Sequence, residues 1–395
     1  MSTLHLLQSR GVIFLAPEST YVAADVKPER IAPGATVHPG CRLSGAELSI
    51  GPGCVIGAEG PATVADCQLG ADVHLAGGFF ERATFLDGFK AGSGAHVRPG
   101  CLFEEESSIA HTVGVKQTVF LPWVTAGSLI NFCDCLMAGG TGRKNHSEIG
   151  SSYIHFNFTP HQDKATASLV GDVTRGALLN QPAIFLGGQG GLVGPCTLAF
   201  GTVIPAGQIW RGDVTEPGRL VAKIPFRSAI NTPYDPRQYH GLRRVLRNNL
   251  LYLGNILALD LWYRVVRAAF MLGDPFRAAC HAGARRRLAE ILDERLSRLD
   301  ELAKKVAHSL DFCAPSAAAD EHRTFVDRWP ELKASLQALA AERETLTVPE
   351  AVVALVDALP KADYLKTIQG LNADQTATLS AWLAACPAAT TALLK

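Results

Sequence analysis

The sequence repeats every six residues, and that period constrains the fold more than any other feature. Ile31, Val37 and Leu43 recur at this spacing; so do Val97, Phe103, Ile109 and Val115, and again Leu192, Leu198, Ile204 and Trp210. A period of six is neither the roughly 3.6 of a helix nor the alternation of a flat strand. It fits a chain that turns a corner after each short strand, so that three strands close one triangular coil with the aliphatic side chain inside. Gly, Pro and small residues follow the aliphatic positions, and these tolerate corners and a crowded interior. Coils of this kind stack through parallel ladders, and each is stable only against its neighbours. The expected fold is mainly β, a left-handed parallel β-helix of hexapeptide repeats followed by an α-helical C-terminal domain. An antiparallel sandwich with chance periodicity is the competing reading.

The repeat does not run the whole length. The 395 residues include 37 Gly and 22 Pro, most of them before residue 235, after which Ala, Leu and Arg dominate. Such a break marks a domain boundary, and the length allows two domains. The organisation expected is a lead-in over 1–25, a β-helix over 26–232 and a helical domain over 233–395. Helices are expected near 237–272, 275–310, 319–342, 348–358 and 373–394, with Asp274-Pro275 and Thr347 to Glu350 as starts. Leu288, Leu292, Leu299, Leu302 and Val306 give the second helix a near-heptad apolar seam. Within the repeat, register is interrupted over 79–94 and again over 133–150, where Ala138 to Asn145 is Gly-rich. Insertions in a solenoid map to loops on one face, so the Gly-rich run reads as a flexible insertion. It lacks the Gly-x4-Gly-Lys-[Ser/Thr] spacing of a phosphate loop.

Lys plus Arg and Asp plus Glu both number 37, a formal net charge of zero. That argues against nucleic acid or anionic membrane held by bulk electrostatics. The most apolar stretch, 250–272, is broken by Asn255, Asp260, Arg264 and Arg267, so no membrane span is expected. Residues 1–14 lack the apolar core of a signal peptide, and a cytoplasmic location is the expectation. Cys41, Cys54, Cys101 and Cys196 each lie four residues after an aliphatic residue. That is a structural slot for reduced thiols, not a disulfide framework. Cys133-Asp134-Cys135 has no second cysteine pair at zinc spacing, so no metal is expected.

Arg98 and Lys116 are 18 positions apart, three hexapeptides or one whole coil. Each follows an inward aliphatic residue, Val97 or Val115, so the two cations are expected on one outer face, about 4.8 Å apart in backbone spacing. Like charges so placed destabilise a sheet unless something anionic lies between them. A bound phosphate would serve; Glu104, Glu105 or Glu106 is the alternative counter-charge.

Residues 97–131, from Val97-Arg-Pro-Gly through Val115-Lys116 to Ala126-Gly-Ser-Leu-Ile-Asn131, carry a family resemblance. It resumes at Ile149-Gly150, Asn157-Phe158, Lys164, Leu169 to Asp172 and Gly201 to Gly207. These segments resemble the acetyltransferase domain of the bifunctional N-acetylglucosamine-1-phosphate uridyltransferase/glucosamine-1-phosphate N-acetyltransferases, over about half the chain. The resemblance implies a homotrimer with sites between subunits. It implies acetyl-CoA or another acyl-CoA as donor and a phosphosugar or nucleotide sugar as acceptor. Arg98 and Lys116 match the family's phosphate-binding pair. Asn157, Phe158 (Tyr in the family) and Lys164 match sugar-phosphate contacts, and Lys223 and Arg227 fall where a basic segment meets the phosphates of coenzyme A. The family's catalytic His aligns with Ser128, and a nearby Tyr with Asn131. Serine unaided is no general base at neutral pH. No nucleotide loop precedes the repeats, so uridyltransferase activity is expected to be absent.

His146, His155 and His161 lie near the expected site. His155 leads as a replacement base, because residues two apart on a strand share a side and Asn157 is two positions on. His146 follows, delivered by the Gly-rich insertion. The spacing of His155 and His161 does not suit a zinc site of the γ-carbonic anhydrase type. Two functions of different class remain: a coenzyme A-dependent acyltransferase acting on an amino sugar, and a phosphosugar-binding or scaffold protein that has lost the catalytic His. The helical tail is a further place for a protein partner.

Overall fold

The computed structural model describes residues 2–159, 163–223, 235 and 237–394. His161 and Arg227 lie outside the described residues. Helix α1 (Thr3–Ser9) leads into a parallel β-solenoid of about ten turns, and helices follow from residue 242 on. The first rung of the ladder is Ile13–Phe14 on Thr36–Val37, inside the stretch read as a lead-in.

Three columns of inward side chains fill the solenoid. The first runs Val37, Ile56, Leu75, Ala91, Ile109, Ala126, Ile149, Leu186, Ile204 in consecutive register. The second runs Leu43, Val64, Phe80, Val97, Val115, Phe132. The third runs Ile50, Leu69, Phe85, Phe103, Phe120, Met137, Val170, Leu198. None is more than 3% exposed. One apolar residue in six suffices because each short strand turns a single side chain inward and its neighbours outward.

Residues 79–94, read as a register break, stay in the ladder. The coil there is shorter: Leu69 to Phe85 and Leu75 to Ala91 span 16 positions each, against 18 from Phe85 to Phe103. Phe85, Phe89 and Phe103 pack with ring centroids 4.8–5.4 Å apart, so aromatic volume fills the interior. The count drops by one at each of two corners, from Leu75 to Phe80 and from Phe80 to Phe85, while the stacking continues. The Gly-rich run is a hairpin, not a loose loop: Gly140–Gly142 pairs antiparallel with Asn145–His146. Arg143 pins it, donating from Nη1 to the carbonyls of Glu106 and Trp123, both at 2.9 Å. A further insertion before Phe185 carries the one-turn α2 (Val173–Gly176).

In the tail, α3 (Leu242–Trp262) runs through a π-turn at Tyr263–Arg267 into α4 (Ala268–Met271). Then come α5 (Pro275–Ser309), α6 (Ala317–Glu342), α7 (Glu350–Ala358), the unforeseen α8 (Tyr364–Gln369) and α9 (Ala373–Ala392). The Asp274 carboxylate accepts from the Phe276 and Arg277 N–H groups to start α5, with Pro275 in the first turn. The expected seam of α5 is buried.

Helix α5 lies along the third face of the solenoid, over the strands from Ser49, Gln68, Ala83 and Cys101. Gly283 permits the approach: a Cβ there would stand 2.2 Å from Gln68 Oε1. Buried arginines fasten tail to solenoid. Arg267 pairs with Glu105 and lies 3.8 Å over the Tyr364 ring; Arg295 donates to Asp134 at 2.7 Å. All ten cysteines are free and all but Cys313 buried. No described helix is long and apolar enough to cross a membrane.

Candidate functional site

Arg98 and Lys116 stand on adjacent coils. Val97 pairs with Val115, and the Arg98 N–H donates to the Val115 carbonyl at 3.0 Å. The two cations therefore follow each other at the corner between the second and third faces. That corner, with Phe79, Glu81, Arg82, His96 and Gln117, is one wall of a groove of about 770 Å³. Helix α5 forms the other wall through Glu290, Asp293 and Glu294. On the second face the outward column runs His96, Gly114, Asn131. A Cβ at Gly114 would meet nothing nearer than 3.9 Å, which leaves an open shelf beside the cations.

The expected acidic alternatives do not supply the counter-charge. Glu104 accepts from the Tyr263 hydroxyl at 2.7 Å, and Glu105 is taken by Arg267. Charge comes instead from the tail: Glu294 is 4.0 Å from Lys116 Nζ, and Glu290 pairs with Arg82. No described carboxylate lies within 4.0 Å of Arg98, which donates from Nη2 to Cys133 Sγ at 3.1 Å. The Cys133 thiol in turn reaches Asn131 Oδ1 at 3.2 Å. Burial pushes that thiol up to about 11, so it is neutral. Arg98, Lys116 and Asn131 are thus brought together. Asn157 is one step removed, donating to Asp134 at 2.7 Å, while the other Asp134 oxygen takes Arg295. Phe158 (63% exposed) and Lys164 are outside the groove lining.

His155 does not face the groove. It continues the second inward column between Phe132 and Leu192 and is 1% exposed. Its Nδ1 lies 2.7 Å from the Cys133 carbonyl and its Nε2 2.9 Å from Ser168 Oγ. Burial holds its pKa down at about 4, so the ring is neutral. It is an internal link between coils. The reason is the period itself: Ile149 points inward and 155 is six positions on, whereas the strand ends at Phe156 and its alternation does not extend to Asn157. His146 sits on the hairpin, its Nδ1 2.9 Å from the Arg143 carbonyl, and does not line the groove. Ser128 Oγ is 3.2 Å from Nδ1 of His111 on the preceding coil. Sequence reasoning missed His111 because the coil here is 17 residues long, with Ile109 on Ala126, whereas three hexapeptides back from Ser128 is Ala110. Lys223 is exposed, its Nζ 5.3 Å from the Trp210 ring centre. The described residues include no cluster of His, Cys, Asp and Glu suited to a metal ion.

Comparison with known proteins bears on this arrangement. A bifunctional protein GlmU from Trichlorobacter lovleyi is 28% identical over 220 residues, 55% of this chain and 43% of that protein. The chain is similar to GlmU proteins. The GlmU of Pelobacter propionicus is likewise 28% identical over 220 residues, and that of Thermus thermophilus 32% over 149 residues, 38% of this chain and 30% of that GlmU. The chain spans less than half the length of these GlmU relatives. No protein-family profile matches it.

Proposed function

We propose that the chain binds an amino-sugar phosphate or nucleotide sugar with its phosphate against Arg98 and Lys116, and transfers an acyl group from coenzyme A to the sugar amine. The observation that carries this is Arg98, a guanidinium on a groove wall with no described carboxylate in ion-pair reach, one coil from a second cation. Such a pair is held in check by an anion. The similarity to GlmU supports sugar-phosphate and acyl-transfer chemistry. Coenzyme A, when bound, supplies the acyl thioester. Lys223, exposed and with no carboxylate partner among the described residues, fits its phosphates, with Arg227 in the same segment of the sequence. A homotrimer is part of the proposal. Helix α5 covers one face and leaves two, which expose Ile13 and Phe185 on the first and Tyr21, Ile154 and Ile209 on the second.

One observation favours a second reading, binding without transfer: His155 lies inside the solenoid, and neither His146 nor Ser128 lines the groove. Thiol release from acetyl-CoA, with glucosamine phosphates and nucleotide-linked amino sugars, separates the two. Turnover that Arg98→Ala abolishes supports acyl transfer. Thermal stabilisation by the phosphosugar without turnover supports binding alone. Neither effect with any amino sugar refutes both.

A further inference from the structure

The groove holds a second unmated charge, of opposite sign to Arg98. Three acids of α5 line it, and two are engaged. Glu290 pairs with Arg82 and stands 3.5 Å from Arg287. Glu294 is 2.8 Å from Arg298, 3.9 Å from Arg295 and 4.0 Å from Lys116. Asp293 is exposed and has no hydrogen bond or ion pair to any described residue. The groove therefore keeps a guanidinium on the solenoid wall with no described carboxylate in ion-pair reach, and a carboxylate on the helix wall with no described ion-pair partner, the two more than 4.0 Å apart.

The two walls are fixed relative to each other. Arg98 contacts Cys133; the adjacent Asp134 holds Arg295 at 2.7 Å; Arg295 is two positions from Asp293 on the same helix. Asp293 is thus carried on a buried anchor and not on a loose loop. A ligand with an anion at one end and an ammonium at the other fits both unmated groups. An ammonium gains most from the carboxylate that no cation already holds, which is Asp293 and not Glu290 or Glu294.

We propose that Asp293 binds the ammonium of the ligand whose phosphate lies on Arg98 and Lys116, so that the helical tail selects amino-sugar phosphates over their hydroxyl counterparts. This rests on the phosphate reading above and adds the group that recognises the amine. The test is equilibrium titration of the full chain with glucosamine 1-phosphate and glucose 1-phosphate, which differ in an amine for a hydroxyl. Wild type is expected to prefer the amino sugar about fivefold, the scale of a partly exposed ion pair. Asp293→Asn should remove that preference, bringing the two sugars to equal affinity, while Arg98→Ala weakens both sugars. Equal affinity of wild type for the two sugars, or a preference that persists in Asp293→Asn, overturns the role of Asp293 and leaves the phosphate site standing. Failure of wild type to bind either sugar overturns the phosphate reading and this inference with it.

Discussion

Replacing His155 by Ala tests whether the ring belongs to the interior or to catalysis. The substitution empties a place in the second column and removes hydrogen bonds of 2.7 Å to the Cys133 carbonyl and 2.9 Å to Ser168 Oγ. Truncating a well-packed interior side chain costs about 2–5 kcal/mol, and the lost hydrogen bond costs about 1 kcal/mol, since the buried Cys133 carbonyl keeps only the weak Cys135 thiol donor at 3.6 Å. Ser168 suffers less, because its Oγ still accepts from the Cys196 N–H. A loss of about 3–5 kcal/mol at neutral pH is expected. The penalty should also depend on pH. The folded-state pKa is near 4, below the roughly 6.5 of an unfolded chain. Between these values the unfolded state binds a proton that the folded state refuses. The His155 contribution is therefore complete above about pH 6.5 and is lost as pH falls toward 4. Urea unfolding followed by circular dichroism at pH 7.5 and pH 5 reads both effects. Wild type should lose stability across that interval more steeply than His155→Ala. A variant as stable as wild type, or an equal penalty at both pH values, refutes the interior assignment. So does a stable variant that has lost only turnover.

Other outcomes follow from the same packing. Glu105→Ala strands the buried Arg267 without its counter-charge and should cost about 3–5 kcal/mol in calorimetry, more than Arg267→Met, which removes the charge as well. Ellman's reagent should modify Cys313 first in the native chain, because the other nine thiols are buried and burial pushes those of Cys54, Cys67 and Cys196 up to about 12; rapid reaction of a second thiol contradicts this. Light scattering should report three times the chain mass of 42.1 kDa, and a monomer would remove the trimer.

The solenoid was legible because a buried column ties one apolar residue to each six. It was misread at 79–94 because two successive corners each lose one residue while the next side chain still points inward, as Phe80 and Phe85 do. His155 was legible by the same count from Ile149, and the error came from trusting strand alternation past Phe156. The counter-charge was not legible. Lys116 meets Glu294 only because α5 settles on the third face, and that docking depends on Gly283, Arg267 and Arg295 meeting residues about 130 to 215 positions away. No local pattern encodes such a meeting. His111 beneath Ser128 was not legible from a strict count of 18, because the coil from Ile109 to Ala126 has 17 residues.

Calorimetric titration of glucosamine 1-phosphate reads out whether Arg98 and Lys116 hold a sugar phosphate, as proposed. A charge-assisted hydrogen bond contributes about 1.5–3 kcal/mol, so Arg98→Ala and Lys116→Ala should each weaken binding by about tenfold or more, and added salt should weaken wild type. Unchanged affinity in both variants, or no saturable binding by wild type at millimolar ligand, would contradict the account.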